Sequence, residues 1–299
     1  ISLSAGPEKL QMATITEPQR PDGIIVDNSF NNVYYGFYSY EADNVSLIGN
    51  EYRDNIIYGI DPHDRSRWLT MAYNTAYGAQ KKHGIIISRE VNDSSYIGNL
   101  SFDNKGSGFM IDRLSTGTFV YGNTAFGNKQ DGLTIFESSC NYISSNNFFN
   151  NKSMGLRIRN SQDNGVFFNN LSNNKQGGVM GYISELLDDP AHRRRNFALD
   201  PYSDVAAMSV IGNHIESNGA GVVGENLAAV LLRGNKFVNQ SPRLFSGKWF
   251  TDNSYFTSQY DIQTKGVLLT DRCPKGKWIH HPCRFRNDGL YNADGQSQL

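Results

Sequence analysis

The sequence predicts an all-β fold, a right-handed parallel β-helix in which one coil takes about 24 residues. A glycine followed by an apolar residue recurs at steps of 23, 25, 24, 24, 23 and 23 residues. Asparagine repeats at nearly the same interval, and the apolar runs between these markers alternate with period 2, as strands do. A period near 24 residues therefore indicates three short strands and their corners in each coil, which is a solenoid.

The glycine repeat is the first element of this prediction, at Gly36, Gly59, Gly84, Gly108, Gly132, Gly155 and Gly178. Glycine permits the left-handed backbone that tight corners require. Leucine-rich repeats have a similar period, but their leucine skeleton is missing here. Helical repeats need longer units with apolar residues at helical spacing, and the β-branched and aromatic content favours strands instead.

Asparagine is the second element, at Asn50, Asn74, Asn99, Asn123, Asn147 and Asn170. A unit with asparagine at both ends and four residues between them, at least one of them apolar, also recurs, as at 99–104, 123–128 and 213–218. We expect these asparagines to stack inside the corners and to hydrogen-bond from coil to coil. The 299-residue chain is long enough to bury its core as a column of nine or ten such coils.

The repeat also predicts the domain organisation. Residues 1–240 form the β-helix domain that carries the candidate site, and residues 241–299 form the last coils and a C-terminal cap. A gap of 43 residues separates Gly178 from Gly221, which predicts a 20-residue insertion near 184–204. This insertion is either a solvated loop or a basic lid over an anionic ligand.

Charge and composition exclude some classes of function. The net charge of −1 gives no reason to expect nucleic acid as a partner. No run approaches the ~20 apolar residues of a membrane-spanning helix. The chain begins at Ile1 without a visible signal peptide, and we expect it to be a processed product.

The three cysteines fall into two groups. Cys140 lies in a coil and is expected to be a small buried apolar residue. Cys273 and Cys283 bracket a short loop and can form a disulfide in an oxidising compartment. A metal site that adds His280 and His281 to these cysteines is the alternative.

Residues at equal offsets from the repeat glycine should stack on one face of the solenoid. The four offsets that carry chemistry give Tyr58, His83, Ser107 and Asp131; Tyr38, Asp61, Ile86, Met110, Thr134 and Arg157; Tyr40, His63, Ser88, Asp112, Phe136 and Arg159; and Glu41, Asp64, Arg89, Arg113, Glu137 and Asn160. Such a face is suited to a polymer. Its arginines fit a linear ligand with one carboxylate per unit, unless they pair with Asp112, Glu137 and their neighbours.

One stretch of this face, Tyr58-Gly-Ile-Asp-Pro-His-Asp-Arg-Ser66, resembles the signature of the mannuronan C5-epimerases. The resemblance is closest to the bacterial periplasmic type and covers roughly residues 20–240. Further similar segments are 81–92, 107–113, 131–138, 155–161 and 198–202. These enzymes convert β-D-mannuronate to α-L-guluronate within polymeric alginate.

The resemblance implies roles for individual residues. His63 matches the base that removes the C5 proton, and Arg89 matches the arginine that neutralises the substrate carboxylate. Tyr58 matches a tyrosine proposed as the opposite proton donor, a task that water can also perform. Asp61 is expected to orient His63 or, if protonated, to hydrogen-bond the substrate carboxyl. The remaining groove residues are expected to bind substrate, and they are Asp64, Arg65, Lys82, His83, Asp112, Arg113, Asp131, Glu137, Arg157 and Arg159.

The resemblance also implies partners and location. The expected partner is a polymannuronate or alginate chain, with other alginate-export proteins as further partners, and the protein is expected to be a monomer. No cofactor or essential metal is expected, because the Gly-Gly-x-Gly-x-Asp repeats of calcium-dependent relatives are missing. The expected location is periplasmic or extracellular.

Two other functions stay open at this point. A polyuronate lyase begins with the same neutralisation and C5 proton abstraction, and then expels the 4-O leaving group by β-elimination. A non-catalytic solenoid that binds glycans would show the same repeat and the same groove.

Overall fold

The fold is a parallel β-solenoid, seen in a computed structural model that describes residues 2–4, 20–182, 206–225, 227–239, 255–256 and 267–269. Within these residues every regular element is a β-strand, and the strands form three long sheets of ten, ten and nine strands. All of these strand pairs are parallel, and most join residues about one repeat apart. The pairs that span the insertion join residues 43 or 44 positions apart, as in Val179 with Val222 and Asn164 with Met208. The predicted fold class is confirmed.

Sheet A carries the candidate site. Its strands are β1 (Ser2–Ser4), β4 (Tyr35–Tyr40), β7 (Tyr58–His63), β10 (Ile85–Ser88), β13 (Phe109–Asp112), β16 (Leu133–Phe136), β19 (Met154–Arg159), β22 (Gly177–Tyr182), β25 (Val222–Glu225) and β29 (Val267–Leu269).

Sheets B and C complete each coil. Sheet B consists of β2 (Gly23–Val26), β5 (Val45–Ile48), β8 (Thr70–Ala72), β11 (Ser95–Ile97), β14 (Phe119–Tyr121), β17 (Tyr142–Ser144), β20 (Asn164–Phe167), β23 (Ala206–Ile211), β26 (Leu227–Arg233) and β28 (Tyr255–Phe256). Sheet C consists of β3 (Ser29–Asn31), β6 (Glu51–Arg53), β9 (Thr75–Tyr77), β12 (Leu100–Phe102), β15 (Thr124–Phe126), β18 (Asn147–Phe149), β21 (Asn170–Ser172), β24 (His214–Glu216) and β27 (Lys236–Val238).

The repeat glycines are needed for close packing rather than for a left-handed backbone. None of the seven has a positive φ. A Cβ at Gly36 would lie 2.4 Å from the carbonyl oxygen of Gly59, and one at Gly59 would lie 2.6 Å from that of Gly84. The expected reason for glycine is therefore wrong: each coil approaches the next too closely for any side chain at this position.

The residue after each of these glycines points into the core, as the alternation predicts. These side chains form a continuous column with at most 1% exposure, made of Phe37, Ile60, Ile85, Phe109, Leu133, Leu156 and Val179. Burial of such a column is the main stabilising contribution to the solenoid. It also fixes the register, because a slip by one residue would move every apolar side chain to the outer face.

Two asparagine ladders run through the buried corners. In the first, each side-chain amide donates to the next side-chain oxygen at 2.9–3.1 Å, through Asn50, Asn74, Asn99, Asn123, Asn146, Asn169, Asn213 and Asn235. The second joins Asn104, Asn128, Asn151, Asn174 and Asn218 in the same way. The amides thus satisfy polar groups that would be costly to bury alone.

The predicted positions of two asparagines in the ladder are wrong. Asn147 and Asn170 lie on the outer face of sheet C, where they hydrogen-bond each other at 3.0 Å. The buried positions belong to Asn146 and Asn169. The repeat shortens from 24 to 23 residues beyond Asn123, so the buried corner falls one residue earlier.

Several predicted features lie outside the described residues. They include the insertion near 184–204, most of the segment 241–299, and the Cys273–Cys283 bridge with its alternative metal site at His280 and His281. Strand β22 ends before the insertion and β23 begins after it, and β22 pairs directly with β25, the next strand of sheet A. Cys140 is buried as expected, but it is disulfide-bonded rather than a free thiol. Within the described ranges no helix has the length and hydropathy needed to cross a membrane.

Candidate active site

The site residues lie where the strands of sheet A end and turn a corner. Tyr40, His63, Ser88 and Asp112 are direct register partners on β4, β7, β10 and β13, which confirms the predicted stacking of equal offsets. The next residue in each coil adopts a left-handed backbone, with φ of 37° at Asp64, 63° at Arg89 and 44° at Arg113. The corner thus brings side chains of successive coils to one edge of the outer face.

His63 is held by its sequence neighbour. Its ring Nδ1 hydrogen-bonds a carboxylate oxygen of Asp64. Burial by itself raises the pKa of Asp64, but the hydrogen bond and charge of His63 and the positive charges of Arg89 and Arg65 lower it below its ordinary value. The carboxylate therefore stays ionised and fixes the proton on Nδ1, which leaves Nε2 as the basic atom of the ring.

Asp61 does not orient His63, so the first of its two expected roles is not seen. Its side chain is 3% exposed, and its Oδ1 has no hydrogen-bond partner among the described residues. Burial, followed by the negative charge of Asp112, raises the pKa of Asp61 well above its ordinary value, although Arg113 and Arg89 oppose this. A raised pKa favours the protonated form of the carboxyl, and in that form Asp61 can donate a hydrogen bond to an anion.

Arg89 is placed to meet a ligand anion. The nearest acidic atom is Oδ2 of Asp64, 3.9 Å from Nη1, and the side chain is 36% exposed. The Nε of Arg89 has no hydrogen-bond partner among the described residues. A guanidinium with this much unused hydrogen-bonding capacity can bind a carboxylate through two bonds.

Tyr58 forms part of the wall beside this centre. Its ring stacks between Tyr35 and His83, with centroid distances of 5.9 Å on each side. Burial and the charges of Asp61 and Asp112 raise the pKa of Tyr58, with Arg113 acting against them. A raised pKa favours the protonated hydroxyl, which can give up a proton as an acid but cannot act as a base until it has lost that proton.

Sequence reasoning did not select Tyr38 as a site residue. Its ring centroid lies 5.8 Å from that of His63, and its Cα is the register partner of Asp61. Burial, then Asp61 and Asp64, raise the pKa of Tyr38 to about 12. The available signal was its repeat position, since Tyr38 and Tyr40 occupy in β4 the offsets of Asp61 and His63 in β7.

His83 belongs to the scaffold of the face. Its Nδ1 accepts a hydrogen bond of 2.9 Å from the backbone N–H of Ser107. Burial and the charge of Lys82 lower the pKa of His83 to about 4, although Asp131 acts in the opposite direction. The ring is thus neutral near pH 7, and its Nδ1 is occupied by the backbone of Ser107. The neighbouring Lys82 is exposed.

Several other predicted groove residues bind each other instead of facing solvent alone. Arg113 donates from Nε to Asp112 at 2.6 Å and from Nη2 to Ser88 at 3.1 Å. Arg65 donates to Glu41 and, at 3.3 Å, to the hydroxyl of Tyr40. The Arg65 contacts join the ends of β4 and β7, and the Arg113 contacts join the ends of β10 and β13.

A second ionic cluster lies further along the face. Arg157 grips both oxygens of Asp131, from Nε at 2.7 Å and from Nη2 at 3.0 Å, and Asp131 also accepts from Thr134 at 2.8 Å. Arg159 lies over the ring of Phe136 at 4.5 Å, while Glu137 is 2% exposed. The face therefore contains two charged clusters. In the one around His63 the Arg89 side chain is 36% exposed and makes only a long contact with an acid, whereas in the one around Asp131 the arginine and the carboxylate are paired.

No metal centre is visible in the part of the chain that the structure describes. Within it, no group of three or more His, Cys, Asp or Glu side chains could hold a metal ion. The side chains around His63 supply an acid, a base and a cation, which is a set suited to proton transfer next to a carboxylate.

Comparison with known proteins identifies relatives of this chain. Residues 64–184 match the family described as "Right handed beta helix region". A mannuronan C5-epimerase of Pseudomonas putida is 45% identical over 201 residues, which cover 67% of this chain and 38% of that protein. Mannuronan C5-epimerase AlgG of Azotobacter vinelandii is 47% identical over 201 residues, with the same two shares.

The solved structures show the same relation. The crystal structure of the periplasmic alginate epimerase AlgG matches with a TM-score of 0.73 and 38% identity, over 79% of this chain and 55% of that one. The chain spans about 38% of the length of the curated relatives it matches. Over these coils the predicted resemblance is confirmed, and the chain is a homologue of the mannuronan C5-epimerases, built on their right-handed parallel β-helix.

Proposed function

We propose that this protein is an isomerase, a mannuronan C5-epimerase that converts β-D-mannuronate to α-L-guluronate within alginate. The observation that carries the proposal is the arrangement at the ends of β7 and β10. There a histidine fixed by a carboxylate lies beside an arginine whose nearest acidic atom is 3.9 Å away. The names of the homologues support the same reaction.

Removal of the C5 proton is difficult because the adjacent carboxylate must accept a second negative charge. Arg89 provides two donors for this carboxylate, and the neutral carboxyl of Asp61 provides a third. Fixed donors aimed at a developing charge lower the barrier most in a partly buried site. The orphaned Oδ1 of Asp61 supports this role, since a substrate oxygen would complete its hydrogen bonding.

His63 removes the proton through Nε2. The C5–H electron pair moves into the carboxyl group and gives an enolate intermediate, while the imidazole becomes positively charged. Asp64 stabilises that imidazolium and holds the ring in the required orientation.

Return of a proton to the opposite face completes the inversion. Tyr58, whose raised pKa keeps the hydroxyl protonated, is the proposed donor, and a water molecule is the alternative. Neither the bond to O4 nor the chain length changes, which separates this reaction from β-elimination.

The proposal extends to partners and location. The substrate is an alginate chain laid along the outer face of sheet A. The printed description of AlgG as a periplasmic enzyme supports action in the periplasm, and other alginate-export proteins are proposed as further partners there.

The test is proton NMR of polymannuronate incubated with the purified protein in heavy water, with absorbance of unsaturated uronate followed in parallel. We expect new guluronate signals, deuterium at C5 and no rise in absorbance. Rising absorbance with chain shortening would replace the proposal with a lyase. Binding of the polymer with neither new guluronate signals nor rising absorbance would instead support a non-catalytic solenoid that binds glycans.

A further inference from the structure

Four tyrosines lie one coil before His63, on β4 and at the residue that precedes it. We call Tyr34, Tyr35, Tyr38 and Tyr40 the tyrosine patch. The inward positions of this strand are taken by Phe37 and Ser39, which are 1% and 0% exposed. The patch therefore lies on the outer side of the coil, and Tyr34 is 54% exposed.

The patch is continuous with the candidate catalytic centre. The ring centroids of Tyr34 and Tyr35 are 4.8 Å apart, those of Tyr35 and Tyr38 are 5.4 Å apart, and Tyr38 is 5.8 Å from His63. An unbroken path of rings thus leads from the solvent to the imidazole.

The geometry of these rings differs from that of a purely structural aromatic stack. On sheet C, Tyr77, Phe102 and Phe126 stack almost parallel, with interplanar angles of 5° and 1°. Such a stack covers ring faces and leaves only edges exposed. In the patch the angles are 77° between Tyr34 and Tyr35 and 38° between Tyr35 and Tyr38, so these rings do not cover each other's faces, although Tyr35 also stacks on Tyr58 at 24°.

The patch is also uncharged where the next coils are ionic. Burial and the charge of Asp61 raise the pKa of Tyr35, and the pKa of Tyr38 is about 12. The corner residue of this coil is Glu41, whose carboxylate is bound by Arg65. A polyanion at the patch would meet neutral hydroxyls and aromatic carbon, and the carboxylate at the end of this strand already has its cation.

These properties fit one unit of a sugar polymer. A pyranose ring has apolar C–H faces and hydroxyl edges, and tyrosine offers an apolar ring with a polar tip. A sugar unit is about as long as the coil spacing of ~4.8 Å. The chain position next to the reacting sugar would therefore fall on the patch.

We propose that the tyrosine patch is a subsite for the uronate unit next to the one held by Arg89 and His63. It binds the ring and hydroxyls of that sugar rather than its carboxylate. The proposal rests on the proposed function, because it takes a polyuronate as the ligand of this face.

The test is calorimetric binding of a mannuronate hexamer to the wild type, Tyr34→Ala and the matched control Tyr73→Ala. Tyr73 is 67% exposed and lies between strands β8 and β9, away from sheet A. We expect Kd to rise roughly threefold to tenfold in Tyr34→Ala and to stay unchanged in the control. Tyr34→Trp should bind as tightly as the wild type, because it keeps an aromatic ring.

Kinetics give a second readout. Tyr34→Ala should raise KM for polymannuronate with little change in kcat, since the subsite binds a unit that does not react. If Tyr34→Ala proves unstable, Tyr34→Glu is the replacement. A new charge at this exposed position should weaken binding of the polyanion at low salt, whereas Tyr73→Glu should not.

The outcomes separate the subsite from the reaction. Binding that depends on Tyr34 in a protein without epimerase activity would support the subsite and overturn the proposed function. Epimerisation by the wild type, with unchanged Kd and KM in both Tyr34 variants, would overturn the subsite alone.

Discussion

Arg89 and Arg113 occupy the same repeat position in consecutive coils but have different surroundings. Both follow a sheet A strand and adopt a left-handed backbone. Arg113 is bound to Asp112 and Ser88 and has a side-chain exposure of 19%, whereas Arg89 is 36% exposed with its nearest acid at 3.9 Å. The residue before each arginine makes the difference: it is Asp112 in one coil and Ser88 in the other. An equal position in a repeat therefore does not give an equal role.

The largest expected effect comes from removing the exposed arginine. Arg89→Ala should lower the epimerisation rate by roughly 10²–10³-fold or more, because the substrate carboxylate loses its main counter-charge.

His63→Ala should abolish turnover, because the variant lacks the base that removes the C5 proton. The measurement is the guluronate signal in NMR, with circular dichroism to confirm that both variants remain folded. Turnover near the wild-type rate in either variant would contradict the mechanism.

The matched change in the next coil should instead affect stability. Arg113→Ala leaves Asp112, which is 3% exposed, without its cation, and should lower the free energy of unfolding by about 3 kcal/mol. Arg89→Ala should lower it by less than about 1 kcal/mol, since it breaks only a long, exposed contact. Chemical denaturation measures both values.

A second substitution checks the cause. Adding Asp112→Asn to Arg113→Ala removes the buried charge and should restore part of the lost stability. Equal losses of unfolding free energy in Arg89→Ala and Arg113→Ala would show that the two arginines contribute equally to stability despite their different contacts.

The smallest expected effect is a change in the pH dependence of stability, and it concerns His83, the buried histidine of this face. Burial lowers the pKa of His83 from an ordinary 6.5 to about 4. Between these two pH values the unfolded chain therefore binds a proton at His83, whereas the folded protein keeps the ring neutral. Stability from neutral His83 is complete above pH 6.5 and should decline as the pH falls toward 4. His83→Asn keeps a hydrogen-bond acceptor for Ser107 and should flatten this decline. Denaturation midpoints at several pH values measure it, and an identical slope in wild type and variant would assign the decline to other groups.

The regular part of the fold was accessible from the sequence because its markers repeat. The glycine spacing placed Asp61 beside Tyr38, and His63 between Tyr40 and Ser88, in agreement with the observed register. The same reasoning misplaced the asparagine ladder at Asn147 and Asn170. A side chain reverses its direction with a one-residue change in coil length, and period counting alone does not show where that change occurs.

The site was accessible only in part. The Asp-Pro-His stretch located it, but the partner of His63 is Asp64 rather than Asp61, because the left-handed corner turns Asp64 back toward the ring. The repeat placed Tyr38 on this face, but it was given no role in the site because it belongs to the preceding coil and to no motif. The site roles assigned from the resemblance stay predictions until the variants are measured.

The sequence by itself determined the solenoid, its period, its core column and the region of the candidate site. These depend on local alternation and on spacing, both of which can be read along one chain. Only the tertiary structure decided which charged groups satisfy each other and which remain open to a ligand. That outcome depends on distances across coils and on burial, which raise the pKa of Asp61, pair Arg113 with Asp112 and leave Arg89 36% exposed beside the carboxylate that holds His63.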